Sequence, residues 1–141
     1  MTDNRGQVSF EYLMIFAISL ILLIVFTLPL AETSVKNTID VSDSLNAKAD
    51  LSKLAQCIKT VYGQGQGSKQ TVSLHESKKI KLTIANSYVS CNVKLNDKST
   101  KQIKQYYKST LKKTSMTLSK GENDIVVEWP VGSENMIVYR T

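Results

Sequence analysis

The feature that most constrains this chain is an apolar run from Tyr12 to Ala31 that contains no charged residue. As an α-helix the run would rise about 30 Å, which matches the hydrocarbon core of a bilayer. A base, a glycine and a carboxylate stand just before it, namely Arg5, Gly6 and Glu11. The run therefore predicts a helix that the protein retains, and the residues before it predict a specific use of its amino end.

Two simpler interpretations of this segment are open. A secretory signal peptide would need a positive n-region, but Arg5 is offset by Asp3, and cleavage after Ala31 would place Pro29 where a small residue is wanted. A plain transmembrane anchor explains the length of the run. It does not explain the polar pattern formed by Gly6, Gln7, Ser9 and Glu11.

A short motif offers a third interpretation, because Gln7, Ser9 and Glu11 alternate immediately after Gly6. The motif resembles the class III signal peptide of archaeal type IV pilins, whose pattern is Gln-x-Ser-x-Glu-x-x-x-Leu, with Ile15 standing here for the final leucine. In that family a prepilin peptidase, an aspartic protease of the membrane, cuts on the cytoplasmic side and leaves the apolar segment on the mature subunit. The resemblance implies a processing site at Arg5-Gly6-Gln7, cut after Gly6.

The chemistry of the individual residues agrees with the resemblance. Gly6 has no Cβ, so an extended backbone can approach a protease closely. Glu11 at the edge of an apolar run needs a cationic or hydrogen-bonding partner, because an unpaired carboxylate is costly in a dry environment. The α-amino group of Gln7 on a neighbouring subunit could supply that partner and set the axial register. Pro29 removes one helical hydrogen bond, which predicts a bend.

The resemblance also implies function, partners and location. It implies a structural pilin subunit of a surface filament used for adhesion. Separately, the residues offer no catalytic constellation, so neither an enzyme nor a cofactor protein is expected. The implied partners are other pilins, a prepilin peptidase, and an assembly ATPase that acts through a membrane platform protein. The protein would cross the membrane once before assembly and lie outside the cell afterwards. The alternative is a tethered single-pass protein whose basic domain binds nucleic acid or acidic glycans.

The charges are unevenly distributed along the chain. Residues 68–120 carry twelve lysines against Glu76 and Asp97, whereas residues 121–141 carry Arg140 against four acids. A lysine-rich block can bind polyanions, and it can equally be a solvated sheet face. Complementarity between the basic middle of one subunit and the acidic tail of the next is a third interpretation.

The helix is predicted to continue beyond the apolar run, through residues 32–62. Its apolar positions form two stripes on nearly opposite faces, an early one from Val35 to Ala49 and a late one from Leu51 to Tyr62. The late stripe is expected to pack on the protein's own domain and the early stripe on neighbouring helices. The predicted organisation is a leader at 1–6, an apolar helix at 7–31, an amphipathic continuation at 32–62, a Gly-rich linker at 63–68 and a β-rich domain at 69–141.

After the linker the hydrophobic period becomes two, which indicates strands. Alternation over residues 80–84 and 89–95, separated by Asn86-Ser87, predicts a hairpin with one buried face. Residues 99–111 could be strand or helix, and further strands are predicted at 70–74, 115–119, 125–129 and 135–140. The predicted fold is α+β, with the long helix packed on one side of a small, mainly antiparallel sheet. The resemblance implies that this fold is type IV pilin-like.

The remaining reactive and aromatic side chains predict structural roles. Cys57 and Cys91 face each other across the expected helix–sheet interface and are predicted to form a disulfide outside the cell, with two free buried thiols as the alternative. No metal site is expected. His75 is predicted to be exposed or locally bonded, and Trp129 and the pair Tyr106-Tyr107 are expected to pack on the sheet, although they could stack on sugars or bases.

Overall fold

The computed structural model describes residues 4–141, with side chains from Ser9 onward. One α-helix, α1, runs from Asn4 to Gln64 and is followed by seven strands. The strands are β1 (Lys69–Glu76), β2 (Ile80–Ile84), β3 (Tyr88–Lys94), β4 (Thr100–Tyr106), β5 (Thr114–Leu118), β6 (Gly121–Glu128) and β7 (Ile137–Arg140). The described residues form two compact units, α1 up to Ile39 and the chain from Asp40 to Thr141. The predicted α+β class is confirmed.

The strands form two antiparallel sheets, where the sequence predicted one. One sheet has the order β1-β6-β7 and the other has the order β4-β3-β2-β5. The division arises because β1 pairs along its whole length with β6, from Lys69↔Glu128 to Glu76↔Gly121. A period of two shows which side chains share a face, but it does not show which strands are neighbours.

The predicted strands are otherwise found close to their expected positions. The hairpin is formed by β2 and β3 with Leu82 opposite Cys91, both buried. The ambiguous segment 99–111 contains strand β4, which pairs with β3 from Lys94↔Thr100 to Tyr88↔Tyr106. The segment is a strand because its backbone hydrogen-bonds to β3, and its own hydrophobic pattern did not distinguish a strand from a helix.

The late stripe of α1 packs on the sheets, as predicted. Leu54, Ile58 and Val61 are completely buried, and they share one hydrophobic core with residues from both sheets. Residues of the early stripe remain exposed, with Leu45 at 60% and Val35 at 58%. The change of face therefore separates buried positions from exposed ones, and the exposed early stripe is unpartnered within the described part of the chain.

The Gly-rich segment is a hydrogen-bonded turn that begins two residues later than predicted, because α1 continues to Gln64. Gly65 has a φ of 86°, a left-handed conformation that favours glycine at a helix end, and its amide donates to the carbonyl of Val61 at 3.1 Å. The amide of Gly67 donates to the carbonyl of Trp129 at 2.6 Å, and the amide of Trp129 donates to the carbonyl of Ser68 at 2.9 Å. These bonds fasten the end of α1 to the end of β6.

The predicted disulfide between Cys57 and Cys91 is not formed in the structure. Both residues are free thiols buried in the core, which corresponds to the alternative considered above. Burial raises the pKa of the Cys57 thiol, and burial together with the nearby Glu76 carboxyl raises that of Cys91 to about 11. Both groups are therefore neutral and poorly reactive near pH 7.

Candidate processing and assembly segment

The amino-terminal motif lies in the first turns of α1. The backbone of Arg5, Gly6 and Gln7 is helical, and the side chains of these three residues lie outside those that the structure describes. Ser9 and Glu11 follow on the same helix and are both exposed. The structure thus places the motif on one continuous helix with the apolar run.

The apolar run is exposed on all sides of the helix. Phe10, Phe26 and Leu30 are 64%, 68% and 69% exposed, and no apolar residue from Phe10 to Leu30 is buried. Over the described residues, one helix is long and apolar enough to cross a membrane. A helix that is apolar on every face requires an apolar surrounding, which can be lipid or other helices.

Pro29 lies inside α1 without ending it. Its ring removes one backbone donor, and threonine side chains bond to the backbone on either side of it. Thr33 Oγ1 donates to the Pro29 carbonyl at 2.9 Å, and Thr27 Oγ1 donates to the Leu23 carbonyl. Both are side-chain bonds to carbonyls of the neighbouring turns, whereas the carbonyl that loses its helical donor at Pro29 is that of Val25. The bend at Pro29 stays a prediction.

A basic face covers the outside of the four-stranded sheet. Lys81, Lys94 and Lys104 alternate along their strands with residues that face the core, so these lysines lie on the face that points away from the core. Their strand partners there are Thr117, Thr100 and Ser90. The face carries aromatic side chains as well, since Lys104 Nζ lies 5.5 Å from the centre of the Tyr88 ring. Lys79, Lys81 and Lys94 also border a shallow depression of about 390 Å³. No aspartate or glutamate lies in β2, β3, β4 or β5.

An acidic face covers the outside of the three-stranded sheet. Glu122, Asp124 and Glu128 occupy three of the four outward positions along its central strand, β6, and the buried Val126 occupies the fourth. Glu128 accepts a hydrogen bond from Tyr139 Oη at 2.9 Å and lies 3.7 Å from Lys69 Nζ. Asp124 accepts from Ser73 Oγ at 2.5 Å. Among the described residues, no ion pair forms to Glu122 or Asp124.

Three aspartates of α1 bond to strand β1 or to the connections between strands, and the sequence interpretation did not identify them. Asp40 accepts two bonds from the Asn96 amide at 3.0 and 3.1 Å, and Asp50 accepts from the His75 amide at 2.9 Å. Asp43 pairs with Lys78 Nζ at 2.8 Å. A signal was present, because at 100° per residue these acids fall on the same face as the buried late stripe. Acids on a core-facing stripe indicate buried hydrogen-bond acceptors.

Two carboxyl groups near this helix face have shifted pKa values. The Lys78 ammonium lowers the pKa of Asp43. Burial, reinforced by the charges of Asp50 and Asp43, raises the pKa of Glu76 to about 7. Within the described residues, no group of three or more His, Cys, Asp or Glu side chains is arranged to hold a metal ion.

The other residues singled out in the sequence occupy structural positions. The His75 side chain is exposed. Tyr107 is buried and donates from its hydroxyl to the Ala85 carbonyl at 2.6 Å, and burial raises its pKa. Trp129 stacks on Tyr62, whereas Tyr106 is 67% exposed on the basic face. Contacts within the fold thus account for Trp129 and Tyr107, although not the sheet packing that was expected, and Tyr106 keeps an exposed ring.

Comparison with known proteins identifies the amino-terminal segment. Residues 4–30 match the family model described as class III signal peptide. No curated protein and no solved structure matches the chain. The match supports a type IV pilin-like prepilin, and it implies processing by a prepilin peptidase and assembly into a pilus. Together with the exposed apolar helix, it fits a protein that is anchored in a membrane before it reaches a surface pilus.

Proposed function

We propose that this chain is a structural subunit, a pilin, of an archaeal type IV pilus-like surface filament used for adhesion. The observation that carries the proposal is the coincidence of a class III signal peptide with a helix whose apolar side chains are exposed on every face. An ordinary secretion signal would be discarded after export. A pilin retains the helix and later buries it among identical helices.

Processing occurs between Gly6 and Gln7, by a prepilin peptidase on the cytoplasmic side. The backbone is helical at this point, and a protease needs an extended segment, so the first turn of α1 must unwind before cleavage. Unwinding there is inexpensive, because the first amide groups of a helix have no intrahelical partner. Arg5 leaves with the leader, and Gln7 becomes the new amino terminus.

Assembly then transfers the apolar helix from lipid to a bundle of neighbouring helices. Glu11 accepts a bond from the α-amino group of Gln7 on the adjacent subunit, which fixes how far one helix slides along the next. The exposed early stripe, with Ile39 at 44% and Leu45 at 60%, supplies further apolar surface for neighbours. Pro29 gives the helix a point at which it can bend as it leaves the membrane.

The proposal includes partners and locations that follow from the pilin assignment. An assembly ATPase, acting through a membrane platform protein, drives the transfer. The chain crosses the membrane once before assembly and lies in an extracellular filament afterwards. It needs no cofactor and catalyses no reaction, because its contribution is the filament itself and the surface that the filament presents.

The decisive experiment is intact mass and amino-terminal sequencing of the protein from host membranes and from sheared surface material. A mature chain that begins at Gln7, or at its cyclised form, and is present in sheared filaments is the expected result. A chain that begins at Glu32 would mean ordinary secretion. An uncut chain confined to membranes would mean a tethered protein, and either result would overturn the proposal.

A further inference from the structure

We propose that adjacent copies of this chain bind through the basic face of one copy and the acidic face of the next. The basic face is the outside of the four-stranded sheet, with Lys81, Lys94 and Lys104. The acidic face is the outside of the three-stranded sheet, with Glu122, Asp124 and Glu128. The inference rests on the proposed filament and names the surfaces by which its globular parts adhere.

Strand register places the lysines of the basic face together. Leu82 is buried and faces the core, so its neighbour Lys81 points outward. Lys94 is two residues beyond Asn92 on the same side of β3, and Lys104 lies opposite Ser90 of that strand. The face is a polar, lysine-rich surface with no carboxylate on its strands to neutralise it.

The register of β6 places negative charge on the outside of the three-stranded sheet. Ile125 and Val127 are completely buried, so the alternate residues Asp124 and Glu128 point outward together with Glu122. Across the strand pair, His75 lies opposite Glu122 and Ser73 opposite Asp124, which leaves two of the three acids without a cation beside them. Lys69, opposite Glu128, is the one lysine of the strands on this face.

Charge complementarity favours a second copy over a foreign ligand. A polyanion would match the basic face alone and would give no reason for three acids along one strand of a second face. Two sheet faces of opposite charge on one molecule attract each other, whereas each face repels a second copy of itself. An interface between two different patches of the same chain is heterologous, and such contacts propagate into open helical assemblies when they do not close into a ring.

The test is a charge-reversal series in the full-length protein, expressed in its host. The first variant, K81E/K94E, reverses the basic face, and the second, E122K/D124K, reverses the acidic face. The combined variant exchanges the two signs. The matched control K108E/K112E changes net charge as much as the first variant, but at exposed lysines in the connection between β4 and β5. Combining this control with E122K/D124K gives the same net charge as the exchange without restoring complementarity.

The readout is the amount of processed subunit in sheared filaments relative to the amount in membranes. We expect each face reversal to reduce that ratio about tenfold or more, and we expect the exchange to restore most of it. The control alone should resemble wild type, and the control combined with E122K/D124K should remain deficient. Equal processing and equal thermal midpoints in detergent show that the variants fold.

Three results would contradict the inference or its basis. Wild-type protein that is absent from sheared filaments would overturn the proposed function itself. Filaments that contain wild type and both face reversals in equal amount would overturn only the two-face interface. Normal filaments in which K81E/K94E alone abolishes salt-sensitive retention of DNA would overturn it as well, and would assign the basic face to polyanions.

Discussion

The Tyr62 ring near the end of α1 stacks on the Trp129 ring that follows β6, with centroids 5.7 Å apart and planes within 3° of parallel. Trp129 Nε1 also donates to the Ser133 carbonyl at 2.7 Å. Together with the backbone bonds of the Gly67–Ser68 turn, the stack joins the carboxyl end of the helix to the three-stranded sheet. Removing either ring should loosen this junction.

Trp129→Ala should destabilise the protein by about 3 kcal/mol, because it removes a half-buried aromatic ring and its hydrogen bond. Trp129→Phe, which keeps a stacking ring, should cost about 1 kcal/mol. Urea titration of the full chain in detergent, followed by circular dichroism, measures both. Tyr106→Ala, at an exposed ring, is the control, and a loss equal to that of Trp129→Ala would refute the assigned role of the stack.

Asp50 anchors α1 to β1 through the His75 amide and also pairs with Lys53 Nζ at 2.8 Å. Asp50→Ala should cost about 2 kcal/mol, because it leaves a half-buried backbone donor without an acceptor. Hydrogen exchange should show faster exchange at the His75 amide in this variant. Glu134→Ala, at an exposed site in the connection before β7, should leave both stability and exchange unchanged.

Glu76 predicts a pH dependence of stability. Its pKa is raised from 4.5 to about 7 in the folded state, so its neutral form favours folding below about pH 4.5 and this contribution is lost as the pH rises toward 7. Glu76→Gln should therefore stabilise the protein above pH 7, by up to about 3 kcal/mol, and change little at pH 4. Urea midpoints at both pH values measure the difference, and equal effects at both would contradict the prediction.

The two cysteines should titrate as free thiols. Protein from sheared filaments, denatured without reductant, should react with two equivalents of a thiol reagent, because Cys57 and Cys91 are both free. The folded protein should react slowly, since burial keeps both groups neutral. Cys57→Ala should halve the count in denaturant. A count of zero in the denatured wild type would establish a disulfide.

Glu11→Ala should leave processing intact and prevent assembly, because in the proposed filament the carboxylate acts between subunits and after cleavage. Western blots of membrane and sheared fractions, with amino-terminal sequencing, separate the two steps. Glu32→Ala is the matched control, since it removes an exposed carboxylate from the same helix, where it pairs with Lys36 at 3.7 Å. Normal filaments in Glu11→Ala would refute the register role of Glu11.

Periodicity was enough to predict most elements of this fold, strand β4 excepted, but not how they meet. The helical stripe from Leu51 to Val61 and the alternation around Leu82 and Cys91 are local patterns, and both predicted the correct buried side. The pairing of β1 with β6 was not predictable, because it joins segments about fifty residues apart whose patterns fit several neighbours. Division into two sheets followed from that pairing.

The polar contacts illustrate the same limit. Glu76 continues the inward alternation of Val72 and Leu74, so its burial could have been inferred from period two, but its neighbours Asp43 and Asp50 come from α1. The proposed processing motif is the opposite case. A peptidase would read it as a linear peptide, so the sequence alone is enough to propose it and no tertiary contact has to be known.

The free thiols have a consequence for when this protein can fold. No covalent bond joins α1 to β3, so the contacts between Cys57, Cys91 and their neighbours do not depend on an oxidant or on a disulfide isomerase. The domain from Asp40 to Thr141 can acquire the same core in a reducing or an oxidising compartment. In the proposed filament pathway, a subunit with this core therefore needs no thiol exchange before it is incorporated.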